Sequence, residues 1–200
     1  SNGLNYSVTP TNGVTGTFPL EMRVKDIGNS TSQTITNYVS FTNTVPVANS
    51  QSINLNEDSS ASGTATGSDA DADSLTFTKL TNPINGVVTG TFPAFTYTPN
   101  TNYNGNDSFQ FKVDDGLASA TNTISFSTSP VNDAPIITSQ PTNVTTNRNS
   151  VITGNITATD VDNTQSELSL QLLNNPSSNL LFASNGLNYS VTPTNGVTGT

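Results

Sequence analysis

Three aspartates at alternate positions are the residues of this chain best suited to chemistry. Asp69, Asp71 and Asp73 stand in the run Asp-Ala-Asp-Ala-Asp. Alternate side chains of an extended segment project to one side, so these carboxylates should lie together and repel one another unless a cation neutralises them. Calcium takes six to eight oxygen ligands at about 2.3–2.6 Å, and aspartates supply such oxygens. The spacing therefore predicts a calcium site.

Other acidic residues in turn-like sequences extend this predicted site. We expect the fold to bring the loops that carry Glu57, Asp58, Asp114 and Asp115 to the same end of one domain. The linker Asn132-Asp133 is acidic and rich in oxygen, whereas the linker Asn43-Thr44-Val45 is neutral. A junctional ion is therefore predicted near Ala134 rather than near Pro46. The predicted metal ligands are Glu57, Asp58, Asp69, Asp71, Asp73, Asp114, Asp115 and Asp133.

The Asp69 run is not an EF-hand loop. Such a loop needs Gly at its sixth position and Glu at its twelfth, where this chain has Ser74 and Leu80. A solvated acidic loop that keeps the protein soluble is the alternative to a calcium site.

The chain has no Cys, His or Trp. Serine triads, cysteine nucleophiles and imidazole-ligated zinc are therefore excluded. A carboxylate pair for glycoside hydrolysis is formally allowed, but the acids lie in Asp-rich turns with no sign of a cleft. The sequence therefore predicts a protein that is not an enzyme. Because the chain has no cysteine to form disulfides, we expect a bound metal to stabilise its thin core.

The net charge of −9 is unevenly distributed. Of the 14 acidic residues, nine lie between positions 46 and 133. This charge makes nucleic acid and anionic membranes poor partners. No stretch is apolar for long enough to insert into a membrane, so no membrane insertion is predicted.

Short runs of alternating apolar and polar residues predict an all-β chain. Asn, Gly, Pro and Asp clusters separate these runs, and no window has a helical period. Seven strands are predicted in the centre of the chain, which is the number that makes one antiparallel sandwich. They cover residues 52–56, 62–67, 75–80, 87–91, 94–98, 108–113 and 121–128.

Residues 1–17 recur unchanged as residues 184–200, an offset of 183 positions. We therefore expect a window of a longer tandem array with a 183-residue period and two alternating domain types. Residues 46–133 are predicted to form a complete domain of type B. Residues 1–45 are predicted to be the C-terminal part of a type A domain, and residues 134–200 the N-terminal part of the next. Residues 1–45 should be completed by the equivalent of residues 134–183 from a neighbouring repeat or an identical chain.

The central residues resemble the bacterial cadherin-like tandem repeat of giant secreted surface adhesins. The resemblance rests on Asn56-Glu57-Asp58, residues 69–76, 95–99, 103–109 and 113–116, and Val131-Asn132-Asp133-Ala134-Pro135. It implies an immunoglobulin-like or cadherin-like sandwich that is extracellular, repeated and often calcium-dependent. The type A domain matches more weakly, and Asn147-Arg148-Asn149 stands where the central domain has Asn56-Glu57-Asp58. No calcium is predicted there, because an arginine would repel the ion.

The sequence thus predicts a structural and adhesive repeat of a long bacterial surface fibre, acting as a calcium-stiffened spacer. Neighbouring repeats of the same or identical chains are the expected partners, with surface glycans or another cell as further candidates. A carbohydrate-binding module is the alternative function. Such a site usually needs an exposed aromatic platform, and Tyr97 and Tyr103 fall in motifs that favour core or corner positions.

Overall fold

The computed structural model describes residues 5–11, 13–142, 144–147, 150–175 and 177–194. These residues form strands, turns and loops, with no helix among them. They divide into two compact units, Ser1–Pro130 and Val131–Thr200, and each is described by itself. The predicted all-β fold is confirmed, whereas the boundaries at positions 46 and 134 and the 183-residue period stay predictions.

All seven strands predicted in the centre of the chain are present in the first unit. This unit contains eleven strands in all: β1 (Gly16–Met22), β2 (Ile35–Phe41), β3 (Val47–Ala48), β4 (Gln51–Asn56), β5 (Ala61–Thr64), β6 (Gly67–Ser68), β7 (Thr76–Lys79), β8 (Gly86–Thr89), β9 (Ala94–Pro99), β10 (Gly105–Asp114) and β11 (Ser119–Ser129).

Strands β3–β11 form a sandwich whose larger sheet has the order β4-β11-β10-β7. A three-stranded sheet, β5-β9-β8, and the short pair β3-β6 complete it. The pair β4–β11 is parallel, which departs from the antiparallel pairing predicted, whereas β10–β11 is an antiparallel hairpin. Because β4 and β11 are the first and last long strands, no tight turn forces them to be antiparallel.

Aromatic rings from β9, β10 and β11 fill the core of this sandwich. Alternate residues of β10 point inward, so Phe109 and Phe111 are almost completely buried. Across the sandwich, the ring of Tyr97 stacks on that of Phe126, with centroids 3.8 Å apart and planes inclined by 9°. Phe95 meets Phe109 edge-on at 5.2 Å. The period-two pattern therefore positions one continuous aromatic core.

A buried carboxylate ties the loop before β8 to this core. Asp107 accepts hydrogen bonds from the backbone N–H groups of Ile84 at 3.0 Å, Asn85 at 2.8 Å and Ser108 at 2.8 Å. The hydroxyl of Tyr97 donates a fourth at 3.0 Å. Burial, aided by the bond to Asp107, raises the pKa of Tyr97 well above its usual value, so this hydroxyl stays a donor.

Among the described residues, the remaining strands of the first unit, β1 and β2, pair only with each other. Their register places Phe18 opposite Val39 and Met22 opposite Ile35, so one face of this hairpin is apolar. The other face carries polar residues such as Glu21 and is exposed.

The second unit contains five strands in two sheets. These strands are β12 (Ile136–Ser139), β13 (Ile152–Asn155), β14 (Thr157–Thr159), β15 (Leu180–Asn185) and β16 (Asn188–Pro193). The sheets have the orders β12-β14 and β13-β16-β15. Among the described residues of this unit, Ala158 and Leu187 are the buried apolar side chains, so its core is small.

Replacing Asp107 with Ala should destabilise the central sandwich by roughly 3 kcal/mol, because several buried donors would lose their acceptor. Gln110→Ala, an exposed change on the same strand, should cost less than about 0.5 kcal/mol. Denaturant unfolding followed by near-UV circular dichroism of the tyrosines measures both variants. Equal stabilities would contradict the assigned role of Asp107.

Candidate metal centre

The three alternate aspartates converge in the loop between β6 and β7. One carboxylate oxygen from each of Asp69, Asp71 and Asp73 lies within 4.8 Å of the others. Asp71 is exposed and the other two are half-buried. Among the described residues, this is the one group of three acids with such spacing. We call it the Asp69 triad.

The triad converges because its backbone bends, not because it is extended as predicted. Asp69 Oδ1 accepts hydrogen bonds from the backbone N–H groups of Asp71 at 2.8 Å and Asp73 at 3.3 Å. Ala72 has a φ of 62°, in the left-handed region that non-glycine residues rarely adopt. Short polar side chains commonly organise turns in this way. The loop therefore folds around the carboxylate of Asp69.

The negative charge of this loop is only partly compensated. Asp69 Oδ2 is buried and accepts no hydrogen bond from the described residues. Three carboxylates at this separation repel one another, and a divalent cation would remove that repulsion. The triad also borders a cleft of about 330 Å³, which Asp71 and Asp73 help to line. The site is therefore open to an ion from solvent.

The segment that precedes the central sandwich contacts the triad directly. The backbone N–H of Thr44 donates to Asp71 Oδ2 at 2.6 Å, and that of Gly13 donates to Asp73 Oδ1 at 3.1 Å. A junctional ion was predicted near Ala134 because the linker Asn43-Thr44-Val45 is neutral. In the structure, however, the backbone N–H of Thr44 in this linker reaches Asp71.

Asp114 and Asp115 lie at the same end of the sandwich, in the turn between β10 and β11. Asp115 accepts a hydrogen bond from Asn43 Nδ2 at 3.0 Å, and the backbone N–H groups of Leu117 and Ala118 donate to its other oxygen. These three donors hold the pKa of Asp115 below its usual value, and the Asn43 amide makes the largest contribution.

The carboxylate of Asp114 is engaged by a cation of the protein itself. Lys112 Nζ lies 2.7 Å from Asp114 Oδ2, and the N–H of Gly116 donates to Oδ1 at 2.9 Å. The Lys112 hydrogen bond is the main reason why the pKa of Asp114 is lowered. A metal ion would have to compete with Lys112 for this residue.

Glu57 and Asp58 lie at the opposite end, so the expectation that they share an end with Asp114 and Asp115 is wrong. The parallel register pairs Asn56 with Ser129, and the N–H of Glu57 donates to the carbonyl of Ser129 at 2.9 Å. Asp114 and Asp115 precede the start of β11, an 11-residue strand that spans about 33 Å. Glu57 is 2% exposed.

Asp133 belongs to the second unit, where it meets the loop of Asp160 and Asp162, in the domain for which the sequence predicts no calcium. The backbone N–H of Asp133 donates to Asp162 Oδ2 at 2.6 Å. Asp160 Oδ1 accepts the N–H groups of Asp162 at 2.9 Å and Asn163 at 2.8 Å, and its Oδ2 is buried without a hydrogen bond among the described residues. The loop thus repeats the geometry of the Asp69 triad with two aspartates instead of three.

The signal for this second loop was present in the sequence. Both loops carry Asp-x-Asp shortly after a strand, and both contact a linker that begins with Asn. The segment Asn147-Arg148-Asn149, whose arginine predicts that no calcium binds in this domain, includes two residues outside the described ones, Arg148 and Asn149.

Residues 43–127 match the family model described as a bacterial Ig domain. The match covers less than half of the chain and indicates a bacterial Ig-like repeat in this part of it. Bacterial Ig domains and cadherin-like domains are typically extracellular and non-enzymatic, and they serve as adhesive or structural repeats. No curated protein sequence matches the chain. No helix in the described residues is long and apolar enough to cross a membrane.

Solved cadherin ectodomains are similar in fold to this chain. Drosophila N-cadherin EC1-4 is 12% identical with a TM-score of 0.53, over 94% of this chain and 51% of that chain. Human protocadherin-24 EC1-2 is 17% identical with a TM-score of 0.51, over 78% of this chain and 80% of that chain. At these identities the similarity establishes the fold alone, and it confirms the predicted cadherin-like sandwich.

An endo-fucoidan hydrolase from glycoside hydrolase family 107 is 17% identical with a TM-score of 0.40, over 93% of this chain. The chain spans 30% of the length of that hydrolase. A TM-score this low carries no argument about function.

Removing the amide of Asn43 should raise the pKa of Asp115, because that amide is the main cause of its lowered value. A lowered pKa means that Asp115 contributes stability above the usual aspartate value of about 3.9, and that the contribution is lost as the pH falls through the folded-state value. Asn43→Ala should therefore make this end of the bacterial Ig domain less sensitive to acid.

Carboxyl carbon resonances titrated by NMR give the pKa of Asp115 in both proteins. Asn49→Ala removes an amide bonded to Thr66 instead and should leave the titration of Asp115 unchanged. The same pKa in wild type and Asn43→Ala would contradict the assigned contact.

Proposed function

We propose that the chain is a structural and adhesive repeat of a long extracellular surface fibre, in which calcium at the Asp69 triad stiffens the bacterial Ig domain. The convergence of the three carboxylates within 4.8 Å carries this proposal. Oxygen ligands of this type and charge suit calcium, and Asp69 Oδ2 faces no hydrogen-bond donor among the described residues.

The ion would act on the linker as well as on the loop. Thr44 and Asn43 already donate hydrogen bonds to Asp71 and Asp115. A cation that fixes the Asp69 triad would also fix Asp71, the acceptor for Thr44, and hence the direction in which the chain enters the sandwich. Binding to the folded state alone would stabilise the domain in proportion to the logarithm of the calcium concentration.

The proposed domain order places a complete sandwich at residues 46–133 between the parts at 1–45 and 134–200. A sandwich with strands of this length is about 40 Å long. Neighbouring repeats, of the same or identical chains, are the proposed partners. The Asp160 loop would hold a cation more weakly, because its Asp-x-Asp run provides two carboxylates.

The alternative function, carbohydrate binding, usually needs exposed aromatic side chains, and not every tyrosine of the chain is exposed. Tyr97 is fully buried, and Tyr103 is half-buried with its hydroxyl donating to the carbonyl of Asn106 at 2.7 Å. Tyr6 and Tyr38 are the exposed tyrosines among the described residues.

Calcium should raise the melting temperature of the chain, and a chelator should reverse the rise. Asp71→Asn should weaken calcium binding about tenfold or more, because it removes one charge from the triad. Glu21→Gln removes the same charge from the exposed face of β1 and should leave the affinity within about twofold.

Isothermal titration with calcium, together with melting in calcium and in chelator, measures these effects. A solvated acidic loop predicts no binding heat and equal melting temperatures in both buffers. Equal affinities for the two variants would place the ion elsewhere.

A further inference from the structure

The outer face of the larger sheet of the central sandwich carries a groove beside the end of β7. Strand β7 ends at Lys79, and the loop that follows it contacts the part of β10 that β7 does not pair with. The groove has a volume of about 640 Å³, which is in the range of small-molecule sites. Residues of β4, β10, β11 and this loop line it, and all of them lie within residues 43–127.

Short hydroxyl side chains form the floor of this groove. The register places Ser108 of β10 opposite Ser125 of β11, and Ser125 opposite Ser52 of β4. These three serines therefore form a row across neighbouring strands, with about 4.8 Å from one strand to the next. Thr123 and Ser127 lie on either side of Ser125 along β11 and also line the groove. The floor is thus a regular array of hydroxyl groups.

Amide side chains and one aliphatic side chain form the rim of the groove. Gln110 and Asn106 lie on either side of Ser108 along β10, and Ile84 and Asn85 belong to the loop after β7. Ile84 is 88% exposed. A side-chain amide provides both hydrogen-bond donors and an acceptor. The rim therefore offers polar groups of both kinds next to a small apolar surface.

The polar side chains of the groove are not engaged by the protein. Within the part of the chain that the structure describes, the side chains of Ser108, Gln110 and Ser125 form no hydrogen bond. The outer face of the sheet β5-β9-β8 differs, because there the hydroxyl of Ser62 bonds that of Thr96 at 2.9 Å. The groups in the groove are thus available to a ligand, whereas those on the other face already bond each other.

The charges around the groove disfavour ionic ligands. Asp107 is the one charged residue among the described residues that line it. Its carboxylate already accepts hydrogen bonds from the N–H groups of Ile84, Asn85 and Ser108 and from the hydroxyl of Tyr97. A cation would therefore find one fully engaged carboxylate, and an anion would find no lysine or arginine. The groove suits a neutral ligand that has both donors and acceptors.

A peptide strand would find no free sheet edge at this groove. The carbonyl of Gln110 accepts the N–H groups of Leu80 at 2.8 Å and Thr81 at 3.3 Å. The N–H of Gln110 donates to Thr81 Oγ1 at 2.8 Å, and that of Ser108 donates to Asp107 Oδ1 at 2.8 Å. Strand addition needs unpaired backbone groups at an edge. The groove therefore favours a ligand that side chains recognise.

We propose that this groove binds a neutral oligosaccharide. Sugar hydroxyls donate and accept hydrogen bonds, as the amides and serine hydroxyls of the groove do. The exposed side chain of Ile84 covers a C–H face of a sugar ring, where such sites usually have an aromatic ring. A site without that ring binds weakly. Many linked copies in a fibre compensate, because each bound copy raises the effective concentration of the next site.

This inference rests on the proposed adhesive role, to which it gives a ligand, and it does not depend on calcium. The groove and the Asp69 triad share no residue. Binding is therefore measured in calcium and again in chelator. Loss of calcium binding with oligosaccharide binding intact would overturn only the metal proposal. Calcium binding without oligosaccharide binding would overturn only this one.

NMR titration of the 200-residue chain with neutral hexasaccharides of glucose, galactose and mannose tests the proposal. At least one of them should shift the side-chain amide resonances of Asn106 and Gln110 in a saturable way. Polygalacturonate, which is anionic, should not, because the chain has a net charge of −9. The proposal is wrong if no hexasaccharide shifts these resonances, or if a neutral hexapeptide of serine, glycine and asparagine shifts them equally.

Two pairs of variants locate the site. Gln110→Ala should weaken binding of that hexasaccharide about fivefold, because it removes amide hydrogen bonds. Gln51→Ala removes the same side chain from the opposite face of β4 to Ser52 and should change the affinity less than about twofold. Ile84→Ala should weaken binding about threefold, whereas Val87→Ala, at an exposed position of β8, should not. Equal affinities of Gln110→Ala and Gln51→Ala, with unchanged near-UV circular dichroism in both, would overturn the proposed site.

Discussion

A β-sandwich is stable only when the apolar faces of its two sheets cover each other, and the whole chain is organised by this requirement. The central sandwich meets it, because the rings of β10 and β11 pack against those of β9. Phe126 contacts Tyr97 from one sheet to the other, and Asp107 fixes the Tyr97 hydroxyl. On either side of this sandwich in the sequence lie segments that meet the requirement only in part.

Acidic loops occur where a linker reaches a domain, and they do so twice. In each case the first aspartate of an Asp-x-Asp run holds its own loop through backbone N–H groups, and the second accepts an N–H from the linker. Each linker is thereby held through its backbone, and Asn43 adds a side-chain hydrogen bond to Asp115. One carboxylate oxygen of Asp69 and one of Asp160 are buried and accept no hydrogen bond from the described residues.

The strands were predictable from the sequence, because each sandwich strand alternates buried and exposed residues and is bounded by turn residues. The grouping of Asp69, Asp71 and Asp73 was also predictable, although the reason was wrong: a bend around Asp69 Oδ1, not an extended strand, brings them together. Which acids share an end was not predictable. That depends on the parallel pairing of β4 with β11, which joins residues about 70 positions apart and leaves no local sequence signal.

The hairpin β1–β2 illustrates a further limit of sequence reasoning. Its apolar face has the same alternation as a buried one, so the pattern predicts strands correctly but cannot specify what covers them. The identical segments at residues 5–10 and 188–193 make the same point more directly. Their structure depends on neighbours that are distant in the chain.

The parallel pairing of β4 and β11 also determines how the central sandwich carries load. If residues 46 and 130 are pulled apart, the two strands slide along each other, and the six registered pairs from Gln51–Ile124 to Asn56–Ser129 resist together. An antiparallel arrangement of the same strands would open one pair at a time from an end. Tension along the chain is therefore shared by all six pairs of the ladder.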